Sequence, residues 1–164
     1  MNKSAIHSSL QKGFIMEIDL ISLVKTKGFE HFADKFGTES QCHELLFQLR
    51  WPDGFRCPSC GCAKHCTLKT RPLYQCNHCH RQQSLISGTI FQGTKLPLKD
   101  WFKAAYFLAH QKKLSALSLM HELKVSYDTA RRVKRKLIKQ HQLTTEKAKT
   151  AHRVNHLPII TTPL

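Results

Sequence analysis

Apolar side chains recur along the first third of the chain at helical intervals. Phe29, Phe32 and Phe36 stand at i, i+3 and i+7, and Gly37 is a stop, which predicts a short amphipathic helix. Thr38 reads as an N-cap with Gln41 as its capping-box partner. Cys42, Leu45, Leu46 and Leu49 then give the stripe of a second helix ending near Arg50. Upstream, Met16–Val24 fits a short helix or a strand equally well, and residues 1–15 are polar, Ser/Lys-rich and expected to fray. Trp51-Pro52-Asp53-Gly54 is turn chemistry. From Phe55 to about Phe91 the helical spacing disappears. Short β-like runs (Cys66–Lys69, Leu73–Cys76, Gln83–Ile86, Thr89–Phe91) alternate there with turn residues. Pro97, favourable in a first helical turn, opens a helix with the stripe Leu98, Trp101, Phe102, Ala105, Leu108 and Ala109. Two shorter helices follow, Ser115–Leu123 and Tyr127–Gln140. Residues 141–164 carry Pro158 and Pro163 among Thr and Ile and show no period.

The pattern predicts an α+β chain: short N-terminal helices, a small β segment, then a C-terminal helical bundle. Its expected divisions are a partly flexible extension (1–28), a helical lead-in (29–54), the β segment (55–96), a helical region (97–141) and an unstructured tail (142–164). With 164 residues, 41% apolar and 23% charged, wholesale disorder and a collagen-like fibre are excluded. The longest unbroken apolar run, Ala104–Ala109, is far short of the roughly 20 residues a bilayer span needs. Met1–Gln11 lacks a signal-peptide core. Both point to a reducing cytoplasm without membrane attachment, where seven cysteines serve as metal ligands or free thiols rather than disulfides.

Charge sharpens the picture because it is segregated. Residues 1–54 hold six basic and seven acidic side chains, whereas residues 55–97 hold six basic and none acidic. Residues 98–141 hold eleven basic and three acidic, so the net +15 lies wholly beyond residue 54. Solubility needs no such separation; a surface for a polyanion does.

Cys57-Pro58-Ser59-Cys60 and Cys76-Asn77-His78-Cys79 form C-x2-C-x15-C-x2-C. A two-residue gap lets both sulfurs of a tight turn face one ion, and Gly61 permits a left-handed backbone directly after the first pair. Four thiolates close a tetrahedron around Zn²⁺ and leave no place for water, so the expected role is structural. A segment of about 40 residues needs such a staple to fold. Rubredoxin-like iron and a redox dithiol are the competing readings. Cys42 falls on a helix stripe and reads as core. Cys62 and Cys66 stand close enough to compete for metal, and His65, His78 and His80 read as surface groups or phosphate donors.

Residues 115–140 read as a helix-turn-helix. Ala116, Leu119, Met120 and Leu123 pack the first helix, Val125 fills the turn and Ser126 caps the second helix, whose inner stripe is Ala130, Val133 and Leu137. In this motif the start of the second helix meets base edges in the major groove, which makes Tyr127, Asp128, Arg131 and Arg132 the expected readers of double-stranded DNA. Arg135, Lys136 and Lys139 are expected on phosphates. Lys124 occupies the turn position where glycine is common.

The run Leu49-Arg50-Trp51-Pro52-Asp53-Gly54-Phe55-Arg56-Cys57-Pro58-Ser59-Cys60-Gly61 resembles the zinc-ribbon lead-in of bacterial transposases of the insertion sequence 1595 (ISXO-like) family. Ser87-Gly88-Thr89-Ile90-Phe91, Lys95-Leu96-Pro97-Leu98, Trp101-Phe102, Ser126 and Thr129-Ala130 continue the likeness over about residues 29–138. The resemblance implies a DNA-binding region for terminal inverted repeats, with Cys57, Cys60, Cys76 and Cys79 as the family's zinc ligands. Family members continue into a catalytic domain whose acidic triad holds two Mg²⁺ ions. Here the carboxylates beyond residue 54 are Asp100, Glu122, Asp128 and Glu146, each on or after a helix face, and a two-metal site needs converging ones. The expectation is a truncated, nucleoid-associated transposase portion that binds transposon ends without cutting them, alone, as a homo-oligomer or beside a full-length transposase. A stand-alone transcription regulator and a zinc-ribbon adaptor for protein or RNA are the alternatives.

Overall fold

The computed structural model describes residues 18–25, 28–68, 73–111 and 113–154, with side chains up to residue 150. Among the described residues, six helices and one three-stranded antiparallel sheet make an α+β fold, as the hydrophobic pattern predicts.

The ambiguous stretch before Val24 is helical at Leu20–Leu23 (α1). Asp19 decides this by accepting from the Ser22 amide at 3.2 Å and the Ser22 hydroxyl at 2.6 Å. Leu20, Ile21 and Val24 are buried, and α1 packs on two later helices. Residues 18–25 therefore contribute three side chains to the core; of the predicted extension, residues 1–17 and 26–27 lie outside the described residues.

Helix α2 spans Phe29–Phe36 and helix α3 Glu39–Arg50. Thr38 forms the expected capping box: its hydroxyl takes the Gln41 amide at 3.2 Å, and the Gln41 side chain takes the Thr38 amide at 3.0 Å. Strands β1 (His65–Thr67), β2 (Leu73–Cys76) and β3 (Gln82–Ser84) lie in sequence order, with His65 opposite Cys76 and Leu73 opposite Ser84. The third strand stops two residues sooner than its pattern suggests, and Thr89–Phe91 is not a strand. The chain there runs through successive turns, with Thr89 N bonded to Ile86 O, Gln92 N to Thr89 O and Thr94 N to Phe91 O. Thr89 drives this local folding by donating its hydroxyl to Ile86 O and accepting from the Phe91 amide.

Helices α4 (Leu98–His110), α5 (Ala116–Leu123) and α6 (Tyr127–Val154) complete the chain. The last is twice the expected length, so an unstructured tail from residue 142 is wrong at least to Val154. Residues 141–154 contain no glycine or proline, and their Lys, Ala, Glu, Gln and Leu favour the helix. Thr144, Thr145 and Thr150 turn their hydroxyls back onto the carbonyls of Gln140, His141 and Glu146, so the polar threonines do not break it. Residues 155–164 lie outside the described residues.

One apolar core joins these elements. Phe102 is fully buried, 5.4 Å from the Phe36 ring and stacked at 6.5 Å on Phe91, while Tyr106 closes on Phe32 at 4.6 Å. Ala104 and Ala105, also fully buried, let neighbouring helices approach α4 closely. Among the described residues, no helix is long and apolar enough to cross a membrane.

Candidate metal centre and cationic helix face

The two knuckles bring Cys57, Cys60, Cys76 and Cys79 together, with all four sulfurs within 4.8 Å of one another. Cys57 Sγ lies 3.5 Å from Cys79 Sγ, and Cys60 Sγ lies 3.6 Å from Cys76 Sγ. Tetrahedral Zn–S bonds of about 2.3 Å imply sulfur–sulfur edges of about 3.8 Å, close to these two separations, so this donor set fits one zinc ion. The backbone shapes it: Gly61 takes φ 73°, its amide bonds Cys57 O at 2.9 Å, and Cys57 N bonds Cys62 O at 3.0 Å. In the second knuckle His80 itself takes φ 57° and its amide returns to Cys76 O.

Amides prepare the sulfurs for a cation. The backbone of Cys79, with that of His78, pulls the Cys76 thiol down to about 6. At Cys60 the Cys62 amide pulls the same way, but burial and the sulfurs of Cys79, Cys76 and Cys57 outweigh it and push the thiol up to about 12. Four thiols this close cannot all ionise without a positive ion among them, which is what a structural zinc supplies.

The other cysteines stay apart from this cluster. Cys62 Sγ faces Lys64 O at 3.9 Å, and Cys66 is exposed on β1. Cys42 is core, as its helix stripe suggests; burial, then Glu39 and Asp100, push its thiol up to about 12, leaving it inert. His65 departs from its expected surface role. It packs 4.5 Å from Phe55 and 5.5 Å from Tyr74, in an aromatic group with Phe47 and Trp51 that seats the ribbon against the end of α3. Arg50 fastens the same junction, donating to Leu85 O at 3.2 Å and Ser87 O at 2.9 Å.

Helices α5 and α6 pack on each other through the predicted apolar positions. Leu119, Leu123, Ala130, Val133 and Leu137 are all buried. Ser115 and Ser126 accept the Ser118 and Thr129 amides at the two helix starts. Lys124 makes the turn in the left-handed region, φ 52° and ψ 45°, without a glycine. On the outer side of α6, Tyr127, Asp128, Arg131, Arg132, Arg135 and Lys139 are exposed. At 100° per residue the four cationic ones fall within an arc of about 100°, opposite the buried stripe.

Lys136 does not belong with them. Its ammonium donates to Ile90 O at 3.1 Å and sits 5.7 Å above the Trp101 ring, so it braces α6 against the turns after the ribbon instead of reaching outward. Its place on the helix wheel, beside the core stripe, explains this. Sequence reasoning also missed Glu39, which accepts from the Leu98 amide at 2.8 Å and the Lys99 amide at 2.9 Å and so caps α4 from 59 residues away. The only local hint was that Pro97 has no side-chain acceptor with which to cap that helix.

The site and fold define a four-cysteine zinc ribbon mounted on helices. Residues 37–82 match the family model described as "Transposase zinc-ribbon domain", of the insertion sequence 1595 type. The chain is also 34% identical, over 104 residues, to an "Uncharacterized protein in transposable element ISH50" of Halobacterium salinarum. That match covers 61% of this chain and 35% of the relative, so the chain spans about a third of the relative's length. No solved structure matches the chain. Residues 37–82 are thus similar to the transposase zinc-ribbon domain of the insertion sequence 1595 type, and their four-cysteine centre fits structural zinc.

Proposed function

We propose that this chain is a double-stranded-DNA-binding portion of an insertion-sequence transposase. Helices α5 and α6 act as its helix-turn-helix, and zinc stiffens the ribbon beside them. The carrying observation is the outer face of α6: Arg131, Arg132, Arg135 and Lys139 are exposed and have no ion pair among the described residues. Helix–helix packing leaves that face open, and unpaired arginines on it suit guanine edges and phosphates. Tyr127, Asp128, Arg131 and Arg132 read bases near the helix start, while Arg135 and Lys139 meet phosphates further along; Lys136 is withdrawn from this set. The target is the terminal inverted repeat of a mobile element, where the chain competes with an intact transposase. Binding rather than strand cleavage is the role proposed for these residues.

Duplex binding across a salt series tests this reading. With six phosphate contacts the log–log slope is expected at about −5. Arg131→Ala should relax discrimination between element ends and random duplex, whereas Lys139→Ala should weaken both alike. Equal effects of the two substitutions would displace α6 from the major groove, and Mg²⁺-dependent strand transfer by the chain alone would refute the non-catalytic role.

A further inference from the structure

The ribbon carries its own surplus of charge. Arg56, Lys64 and Arg81 are exposed, and among the described residues none of their side chains has a hydrogen bond or an ion pair. All three flank the metal end. Arg56 directly precedes Cys57; the Lys64 carbonyl accepts the Asn77 amide, and the Arg81 carbonyl accepts the Cys76 amide, both at 3.0 Å. The knuckle backbone that positions the sulfurs therefore also anchors the main chain at Lys64 and Arg81, and exposed His78 lies in the same second knuckle. No acidic residue occurs between Asp53 and Asp100 to neutralise them.

We propose that this metal end is a second phosphate-binding surface, gripping the DNA backbone in addition to α6. The proposal rests on the DNA-binding reading above and extends it to a separate set of residues. A nucleic-acid backbone suits this surface better than a protein. Protein interfaces centre on apolar or aromatic anchors, and among the described residues the exposed large apolar side chains (Phe29, Leu117, Tyr127 and Leu143) all lie outside the ribbon. Phosphates ask only for donors on a rigid support. Three unpaired cations on a zinc-fixed backbone meet that need, so that on binding only their side chains have to be ordered.

The competing reason for the cations is that they offset the negative charge of four thiolates around one Zn²⁺. One experiment separates the two, using the full zinc-loaded chain and the variants Arg56→Gln/Lys64→Gln/Arg81→Gln and Lys64→Gln alone. Zinc content, affinity for a duplex bearing the element end, and salt dependence are all measured. The triple variant should keep its zinc and its preference for the element end while its log–log salt slope falls by about 2 to 3 units; Lys64→Gln alone should lower it by about 0.9. An unchanged slope, with or without loss of zinc, overturns the proposal and leaves the α6 reading standing. A wild-type chain that binds no duplex overturns both.

Discussion

Around Phe102, five helices and the turns after the ribbon converge on side chains that exclude water completely, and no ion is needed to explain why they stay together. Around Cys57 and Cys76 the strands are three or four residues long, and Cys60 and Cys79 remain exposed. Here four sulfurs supplement a small aromatic seat made by Phe47, Trp51, Phe55, His65 and Tyr74. The contrast follows from size: a ribbon of this length has too little surface to hide, so a metal must supply what burial cannot. The same contrast suits function, since the metal end needs no bulky interior and leaves Arg56, Lys64 and Arg81 exposed.

Three substitutions would break or sharpen that contrast. The largest effect is expected from Cys57→Ser, which removes one ligand and, with it, apparent metal-binding energy on the order of 10 kcal/mol. Elemental analysis should show zinc lost, while far-ultraviolet circular dichroism should keep most of the helical signal. Helices that melted together with the ribbon would show that the two regions do not differ as described. Phe102→Ala is the reverse experiment. It should cost about 3–5 kcal/mol in urea unfolding, with zinc released only as the whole chain unfolds; zinc escaping first would contradict the arrangement. The smallest effect belongs to Lys124→Gly. It relieves a left-handed backbone strain of about 1–2 kcal/mol but loosens the unfolded chain by about 0.4–1 kcal/mol. A rise in stability on the order of 0.5 kcal/mol is expected by thermal unfolding, and a fall would mean that the lysine side chain itself holds the turn.

What could be read from the sequence was local. The Thr38–Gln41 box, the Phe29–Phe36 helix with Phe32 and Phe36 buried, the start of the α4 stripe and the cysteine spacing each encode structure within a few residues, and each reappears. Contacts between distant segments left no such trace. Nothing near Glu39 announces residue 98, nothing near Arg50 announces Leu85, and Lys136 differs from its cationic neighbours only by its angle around the helix. Thr89–Phe91 misled because a β-branched, aromatic run suits a strand, yet the Thr89 hydroxyl donates to the Ile86 carbonyl and closes a turn. Residues 142–154 misled because their apolar period is lost while their backbone propensity is not.

The interplay of Asp19 and His141 shows the same long reach at the other end of the molecule. Their 2.7 Å contact ties α1 to α6; burial pushes the Asp19 carboxyl up, but the bonds from Ser22 and His141 outweigh it and hold it below its ordinary value. A depressed carboxyl stabilises the fold above its unfolded-state value and ceases to do so as acid titrates it through the folded one.

The Glu39 carboxylate bears on how the molecule can be taken apart. Because the opening amides of α4 are quenched by a residue that precedes the whole ribbon, a fragment beginning at Pro97 would start with bare donors, and one ending at Phe91 would leave that carboxylate facing solvent. Dissecting the chain at its most obvious seam would therefore yield two pieces that are each incomplete, and work on either half calls for both.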